Sequence, residues 1–331
     1  MKEDKFGSIL INPRCSNNCV FCKPDKSLHN DDLGLEEEKK LLKDALYFRK
    51  NGFKRIDVSG SEPLKYSKII EFLSWLSKSF DDISLLDPGN RLADKSFASR
   101  FAKTGISRVF IPIYGSEAKY HDAAVGNPGA FNQVVKGIKN LLELDSGIEI
   151  RLTSVFLKQN IENFYDMFVF CRKEFGIYPW RLTMPYLHND NKNIRFQDFL
   201  VSFSDIRRAV LKISRLDAED IRIEYVPLCI FSEEDLLGFN SIRFFNVFYL
   251  YNLSDDEINK RIKDIVKDYR NQEYLWQCEK CFLKKDGICG GILREHLLNN
   301  KDYHFNPLSE DLYNRVKKNI AFSKVNPGVS K

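Results

Sequence analysis

The chain has 331 residues, 43% of them hydrophobic and 29% charged, with a formal net charge of +5. That length suits one barrel-sized domain plus a smaller one, and so mild a charge does not argue for nucleic acid as a partner. No long uncharged apolar run is present to span a membrane, and the first eight residues mix charges with no apolar signal core, which counts against secretion.

Residues 6–11 read as a short buried strand. Residues 35–51 follow with Leu35, Leu41, Leu42, Ala45, Leu46 and Phe48 at helical spacing, ended by Asn51-Gly52. A second strand, Arg55 to Val58, runs into Ser59-Gly60-Ser61-Glu62-Pro63, and a second amphipathic helix covers 67–80. Strand 83–86, helix 94–104, strand 109–113, helix 130–144, strand 148–156, helix 161–175, strand 180–184 and helix 204–215 complete the pattern. Strands that alternate with helices over short links imply parallel βαβ units, and right-handed crossovers curl them toward a barrel. Six units fall short of the eight of a closed barrel, so the fold class is α/β, a partial (β/α)6 barrel. Catalytic groups of such barrels collect at the C-terminal ends of the strands.

From about 216 the pattern changes. An alternating strand, Ile221 to Val226, leads to Cys229. An aromatic stretch follows (Phe239, Phe244, Phe245, Phe248, Tyr249, Tyr251), then a charged helix near 254–270. Cys278-Glu279-Lys280-Cys281 and Gly287-Ile288-Cys289-Gly290-Gly291 come next. The expected division is 1–215 for the barrel, 216–300 for a small α+β module and 301–331 for a basic, solvated tail. The chain opens directly on strand one, so no fused leader-peptide domain is expected.

Eight cysteines in a chain of this size do not suggest the disulfide framework of small secreted domains. A reducing, low-oxygen cytoplasm fits better, with metal as the use of most thiols. Cys15-Ser16-Asn17-Asn18-Cys19-Val20-Phe21-Cys22 hangs from the end of strand one. Three thiolates on one loop can each hold one iron of a four-iron cluster and leave the fourth iron open. Spacings of three and two intervening residues fit a structural zinc site poorly.

With an aromatic before its last Cys, this triple resembles the signature of the radical S-adenosylmethionine (SAM) superfamily. The resemblance implies that Cys15, Cys19 and Cys22 hold a [4Fe-4S] cluster whose open iron is chelated by SAM. It further implies reductive cleavage of SAM to a 5′-deoxyadenosyl radical, fed by a flavodoxin- or ferredoxin-type donor, and hydrogen-atom abstraction from substrate. Gly60-Ser61-Glu62-Pro63 resembles the family's GGEP turn, which meets the methionine ammonium of SAM; Ser61 departs from it. Alone it would be a common strand-to-helix turn. Asp87-Pro88-Gly89-Asn90 stands where relatives carry a TNG-like turn, and Asn90 is a candidate contact. Strand five puts Arg151 and Thr153 on one face and Leu152 and Ser154 on the other. The resemblance makes Arg151 or Ser154 a contact for the SAM carboxylate or ribose, whereas the bland reading is a rim ion pair. Tyr114 stands where relatives often have Ser and is free to line the substrate pocket instead. His188 falls at the rim after strand six, with Arg181 and Tyr186 near the same rim. Cys171 reads as a core thiol.

Cys229, Cys278, Cys281 and Cys289 can close around one metal, and spacing alone leaves iron–sulfur and zinc both open. Set in a C-terminal extension of this size, they resemble the twitch module, the shortened relative of the SPASM domain, which holds an auxiliary [4Fe-4S] cluster. Twitch- and SPASM-bearing relatives divide between peptide-maturing enzymes, the first expectation, and small-molecule dehydrogenases or cofactor-building enzymes. A non-catalytic iron–sulfur or zinc scaffold is the alternative outside enzymology.

Overall fold

The computed structural model describes residues 6–22, 30–185, 195–218, 221–245, 272–286, 289, 291–317 and 320–321. The expected helix near 254–270, Phe248, Tyr249, Tyr251, Tyr186, His188, Gly287, Gly290 and the basic residues beyond 317 lie outside these.

A single parallel sheet organises the chain. Strands β1 (Phe6–Ile11), β2 (Arg55–Gly60), β3 (Asp82–Leu86), β4 (Arg108–Pro112), β5 (Glu149–Val155), β6 (Pro179–Thr183), β7 (Ile221–Glu224) and β8 (Ile242–Phe245) lie in sequence order. A last short strand, Ile320–Ala321, pairs with β8. Every crossover therefore steps the same way, which curls a sheet into a barrel wall instead of winding it doubly about a switch point. The strand beginning at Ile221, expected to open the second module, extends this wall: Arg181 pairs with Arg222, and Arg222 with Arg243.

The helices form the outer layer. In α1 (Leu35–Lys50), Leu41, Ala45 and Phe48 fall on one buried face, with Glu36, Glu37 and Glu38 in the first turn and Arg49 and Lys50 in the last. That charge order suits the helix dipole. Phe48 is seated against β1 because position 7 is glycine, where a Cβ would lie 2.7 Å from the ring. Next come α2 (Ile69–Ser79) and α3 (Lys95–Phe101), the latter capped by Asp94 accepting from the Ser96 and Phe97 amides at 2.8 and 3.2 Å. α4 (Ala118–Val125), which the periodicity did not reveal, is only eight residues long and ends at Gly126 in the left-handed region, φ +58°. α5 (Ala130–Glu143), α6 (Phe164–Phe175) and α7 (Phe203–Ile213) complete the layer. Fully buried rings such as Phe101, Phe168 and Phe203 lie in the core, each contributing about 1.5–3 kcal/mol through burial.

Strand alternation fixes what faces the lumen. Gly7, Ile9 and Ile11 on β1, and Ser154 on β5, face the helices; the Ser154 hydroxyl lies 3.8 Å from Met167 Sδ in α6. The other parity, including Asp57, Ser84, Arg108, Phe110, Arg151, Arg181, Arg222 and Glu224, lines the interior.

Past β8, a two-stranded antiparallel pairing of Gln272–Glu273 with Ile292–Leu293 brackets the last three cysteines. Residues 303–316, expected to begin a solvated tail, pack back onto this region. Phe305, Leu308, Leu312 and Val316 are buried, and the Asn306 amide donates to the Cys229 carbonyl at 2.7 Å. Four apolar side chains taken out of water account for the difference.

Candidate active site

Cys15, Cys19 and Cys22 sit on the loop leaving β1, and backbone geometry builds that loop. The Asn18 amide donates to the Val125 carbonyl at 2.7 Å and the Val20 amide to the Ala124 carbonyl at 3.0 Å, so the end of α4 supports it. Gly126 is required there, because a Cβ would lie 2.4 Å from the Asn18 carbonyl oxygen. The Cys22 amide donates to the Cys19 carbonyl at 3.2 Å, and the Asn17 amide donates to Cys15 Sγ at 3.4 Å.

The turn after β2 holds the other side. Gly60 has φ +140°, and a Cβ would sit 2.0 Å from the Ile11 carbonyl oxygen, so β1 and β2 approach here as only glycine allows. Ser61, the departure from the family turn, donates its amide to Asn12 Oδ1 at 3.1 Å and its hydroxyl to the Pro13 carbonyl. Glu62 is 1% exposed, and its Oε2 accepts the Ser16 amide at 2.6 Å. A buried carboxylate thus fixes the cysteine loop directly. Pro63 is buried and opens a short 3-10 turn.

Asn17, Asn127 and Asp87, which the sequence did not single out, complete the frame together with the expected candidate Asn90. Asn17, 3% exposed, accepts on Oδ1 from Asn90 Nδ2 at 3.0 Å and Asn127 Nδ2 at 2.8 Å. Asn90 Oδ1 is buried with no partner among the described residues. Asp87 accepts the Leu64 and Gly89 amides at 2.8 and 2.7 Å, tying the turns after β2 and β3 together. Burial, with the Glu62 carboxylate nearby, pushes the Asp87 carboxyl up to about 7.

Tyr114 forms the wall opposite. Its ring meets Phe21 edge-on at 5.6 Å, and its amide donates to His121 Nδ1 at 3.2 Å. Burial, then the three cysteines, push its hydroxyl well above the usual range, so it stays protonated. Burial lowers His121 to about 4, which keeps the ring neutral and Nδ1 an acceptor.

The other expected contacts fall elsewhere. Arg151 lies early on β5 in an ion pair with Glu149 at 2.6 Å. Ser154 lies on the helix side of β5, its hydroxyl directed to Met167 Sδ.

Residues 9–171 match the family described as the Radical SAM superfamily. This segment is a radical SAM domain. The chain is 27% identical over 175 residues to an AdoMet-dependent heme synthase of Nitratidesulfovibrio vulgaris, covering 51% of this chain and 45% of that one. It is 30% identical over 184 residues to a GTP 3′,8-cyclase of Listeria monocytogenes, covering 51% and 53%. The chain spans about half the length of the curated relatives it matches. In fold it resembles Streptococcus suis SuiB bound to precursor peptide SuiA, with TM-score 0.56, 17% identity and coverage of 92% and 75%. It also resembles anSMEcpe with bound AdoMet and a Cp18Cys peptide, with TM-score 0.56, 15% identity and coverage of 95% of each chain. The partial α/β barrel of radical SAM proteins is therefore the architecture here, and among the described residues no helix is long and apolar enough to cross a membrane.

The radical SAM core implies a four-iron cluster and SAM, and the donors present suit both. Three thiols stand on one short loop beside Phe21 and Tyr114, an amide already donates to one sulfur, and the buried Asn90 Oδ1 waits for a hydrogen-bond donor such as an ammonium. Among the described residues no three ligating side chains meet at the single point that one ion needs; a four-iron cluster instead takes each thiolate on a different iron.

Cys229, Cys278, Cys281 and Cys289 line one pocket with Tyr274 and Lys284. Here too an amide meets sulfur, Gly291 donating to Cys289 Sγ at 3.4 Å, and the Tyr274 hydroxyl donates to the Cys289 carbonyl at 2.5 Å. Burial, then the neighbouring thiols, push the Cys229 thiol up, so metal must displace a proton there. Cys171 is fully buried within α6 as a core thiol.

Proposed function

We propose that this protein is a cytoplasmic radical SAM enzyme that abstracts a hydrogen atom from a peptide, with an auxiliary cluster in a twitch-like module. The observation that carries the reading is the Glu62–Ser16 bond, which joins the family's two signature segments through one buried carboxylate. In the proposed assignment, Cys15, Cys19 and Cys22 hold the [4Fe-4S] cluster that binds SAM, and Cys229, Cys278, Cys281 and Cys289 hold a second. When bound and reduced, the first cluster and SAM supply a 5′-deoxyadenosyl radical; the protein supplies position and shielding.

The residues have separable tasks. Glu62, Asn17 and Gly126 hold the loop that carries the three thiols. Gly60 and Asn90 line the place where the methionine end of SAM would lie, with Asn90 Oδ1 accepting from its ammonium. Phe21 and Tyr114 close the wall with carbon, which suits a site that must exclude water from a reactive radical. A flavodoxin- or ferredoxin-type protein would deliver the electron.

Peptide as substrate is supported by SuiB and anSMEcpe, which share the fold and are seen with peptides. A small-molecule substrate is the second reading, favoured by the sequence matches to a heme synthase and GTP 3′,8-cyclases. The test is iron, sulfide and zinc per chain after anaerobic reconstitution, then 5′-deoxyadenosine release from SAM with dithionite. About eight irons and release of the nucleoside are expected; zinc alone with no release overturns the reading.

A further inference from the structure

Three amide side chains from distant parts of the chain meet at the cysteine loop. Asn17 stands on that loop, Asn90 in the turn after β3, and Asn127 between α4 and α5. Asn17 Oδ1 accepts from Asn90 Nδ2 at 3.0 Å and from Asn127 Nδ2 at 2.8 Å. The backbone ties this meeting point to the thiols and to the turn after β2. The Asn17 amide donates to Cys15 Sγ at 3.4 Å, and the adjacent Ser16 amide donates to Glu62 Oε2 at 2.6 Å.

An amide has an accepting and a donating end of nearly the same shape, so what such a trio offers a ligand depends on how its members are turned. Asn17 gives its oxygen to two donors. Asn90 must therefore turn its nitrogen toward Asn17, which leaves its own oxygen directed elsewhere. That oxygen is buried and has no partner among the described residues, in a side chain only 7% exposed. Turning Asn17 over would reverse the whole set. Its nitrogen would donate to both neighbours, each neighbour would turn its oxygen inward, and Asn90 would offer a buried N–H instead. The three amides are one unit with two polarities. The surrounding charge suits the polarity observed, because Glu62 and Asp87 are buried carboxylates on the adjoining turns. A place bordered by anions draws a cation, and a cationic N–H group needs an acceptor.

We propose that Asn17 and Asn127 are positioning residues that lock the Asn90 amide with its oxygen toward the ligand, so that this point of the site takes the ammonium of SAM and turns away its carboxylate. The identity of the ligand rests on the radical SAM reading above. A buried acceptor without a donor is costly, so an ammonium brought to Asn90 Oδ1 binds with that much advantage, and a carboxylate oxygen there meets repulsion. Asn127 touches the ligand site only through Asn17, and the lock holds because both donors on Asn17 act on the same oxygen.

The test measures SAM affinity by calorimetry on the full chain, reconstituted anaerobically and left oxidised at pH 8, with iron counted for every variant. Asn17→Asp can only accept, so it fixes the polarity of the structure and should bind SAM at least as tightly as wild type. Asn127→Asp adds the same charge but sets an acceptor against Asn17 Oδ1. Asn17 then turns over, Asn90 follows, and affinity should fall about ten-fold or more. Adding Asn90→Asp to Asn127→Asp should restore most of the lost affinity, because a carboxylate at position 90 accepts from Asn17 and still offers its second oxygen to the ammonium. Equal losses in Asn17→Asp and Asn127→Asp, wild-type affinity in Asn127→Asp, or a double variant that binds no better than Asn127→Asp would each overturn the proposal. Should Asn127→Asp not take up iron, Asn17→Leu removes the shared acceptor without adding charge; a several-fold weakening is expected there, and unchanged affinity overturns the proposal. Iron-replete wild type that binds no SAM overturns the radical SAM reading and the proposal with it, whereas SAM binding indifferent to these variants overturns the proposal alone.

Discussion

Gly60→Ala tests whether the junction of β1 and β2 sets the cysteine loop. At φ +140° an alanine pays for a backbone region that L residues avoid, about 1–3 kcal/mol. Its Cβ would also start 2.0 Å from the Ile11 carbonyl oxygen, so one strand end must shift by roughly an ångström to restore contact distance. A combined loss of about 3 kcal/mol, spread over the unfolding entropy of 331 residues, lowers the melting temperature by about 4 °C. Gly52→Ala is the control: φ is also positive, +73°, but nothing lies within 4 Å of the added Cβ, so only the conformational cost of about 1–2 kcal/mol remains. Because Ile11 is followed directly by the loop, the Gly60 variant should also lose its first cluster, with iron per chain falling from about eight to about four on reconstitution. Thermal unfolding and iron analysis of the two variants read both effects. A Gly60→Ala protein within a degree of wild type and with full iron would refute the reasoning.

Glu62→Ala removes the buried acceptor of the Ser16 amide, a net loss of about 1 kcal/mol, and should weaken SAM binding at least ten-fold by calorimetry. Cys229→Ala should remove the auxiliary iron, leaving about four irons per chain, while 5′-deoxyadenosine release in the absence of substrate persists; retention of all iron would exclude Cys229 as a ligand. His121 and His296 are both held near 4 by burial, against about 6.5 unfolded. The unfolded chain therefore binds more protons between pH 4 and 6.5, and the stability each ring contributes is complete above 6.5 and lost as pH falls through that window, about 1.4 kcal/mol per pH unit per ring. Asp87, held near 7, acts oppositely, its contribution falling as pH rises from 3.8 to 7. Denaturant unfolding across pH 4–6.5 should show the slope reduced by about one proton in His296→Gln; an unchanged slope would place the neutral ring elsewhere.

What was legible in the sequence is what local periodicity carries. Leu41, Ala45 and Phe48 announce α1 because burial on one face demands that spacing, and the cysteine triple needs no fold to be recognised. What was hidden depends on contacts distant in sequence. Asn17 meets Asn90 and Asn127 across 73 and 110 residues, and no local pattern marks an amide as the hub of a buried network. The wall past β6 was hidden because β7 is four residues long and is ended by Tyr225 at φ 62°, so its alternation is too brief to separate from a module strand. Strand five shows the limit most sharply. Alternation correctly set Arg151 with Thr153 and apart from Ser154, but period two does not say which face is the lumen. Only Met167, seated on Ser154 from α6, decides that. Once that parity is known and carried across the register, Arg181, Arg222 and Arg243 become a single row on three strands. The lumen charge is thus a property of the register, written in residues that look unrelated when read along the chain.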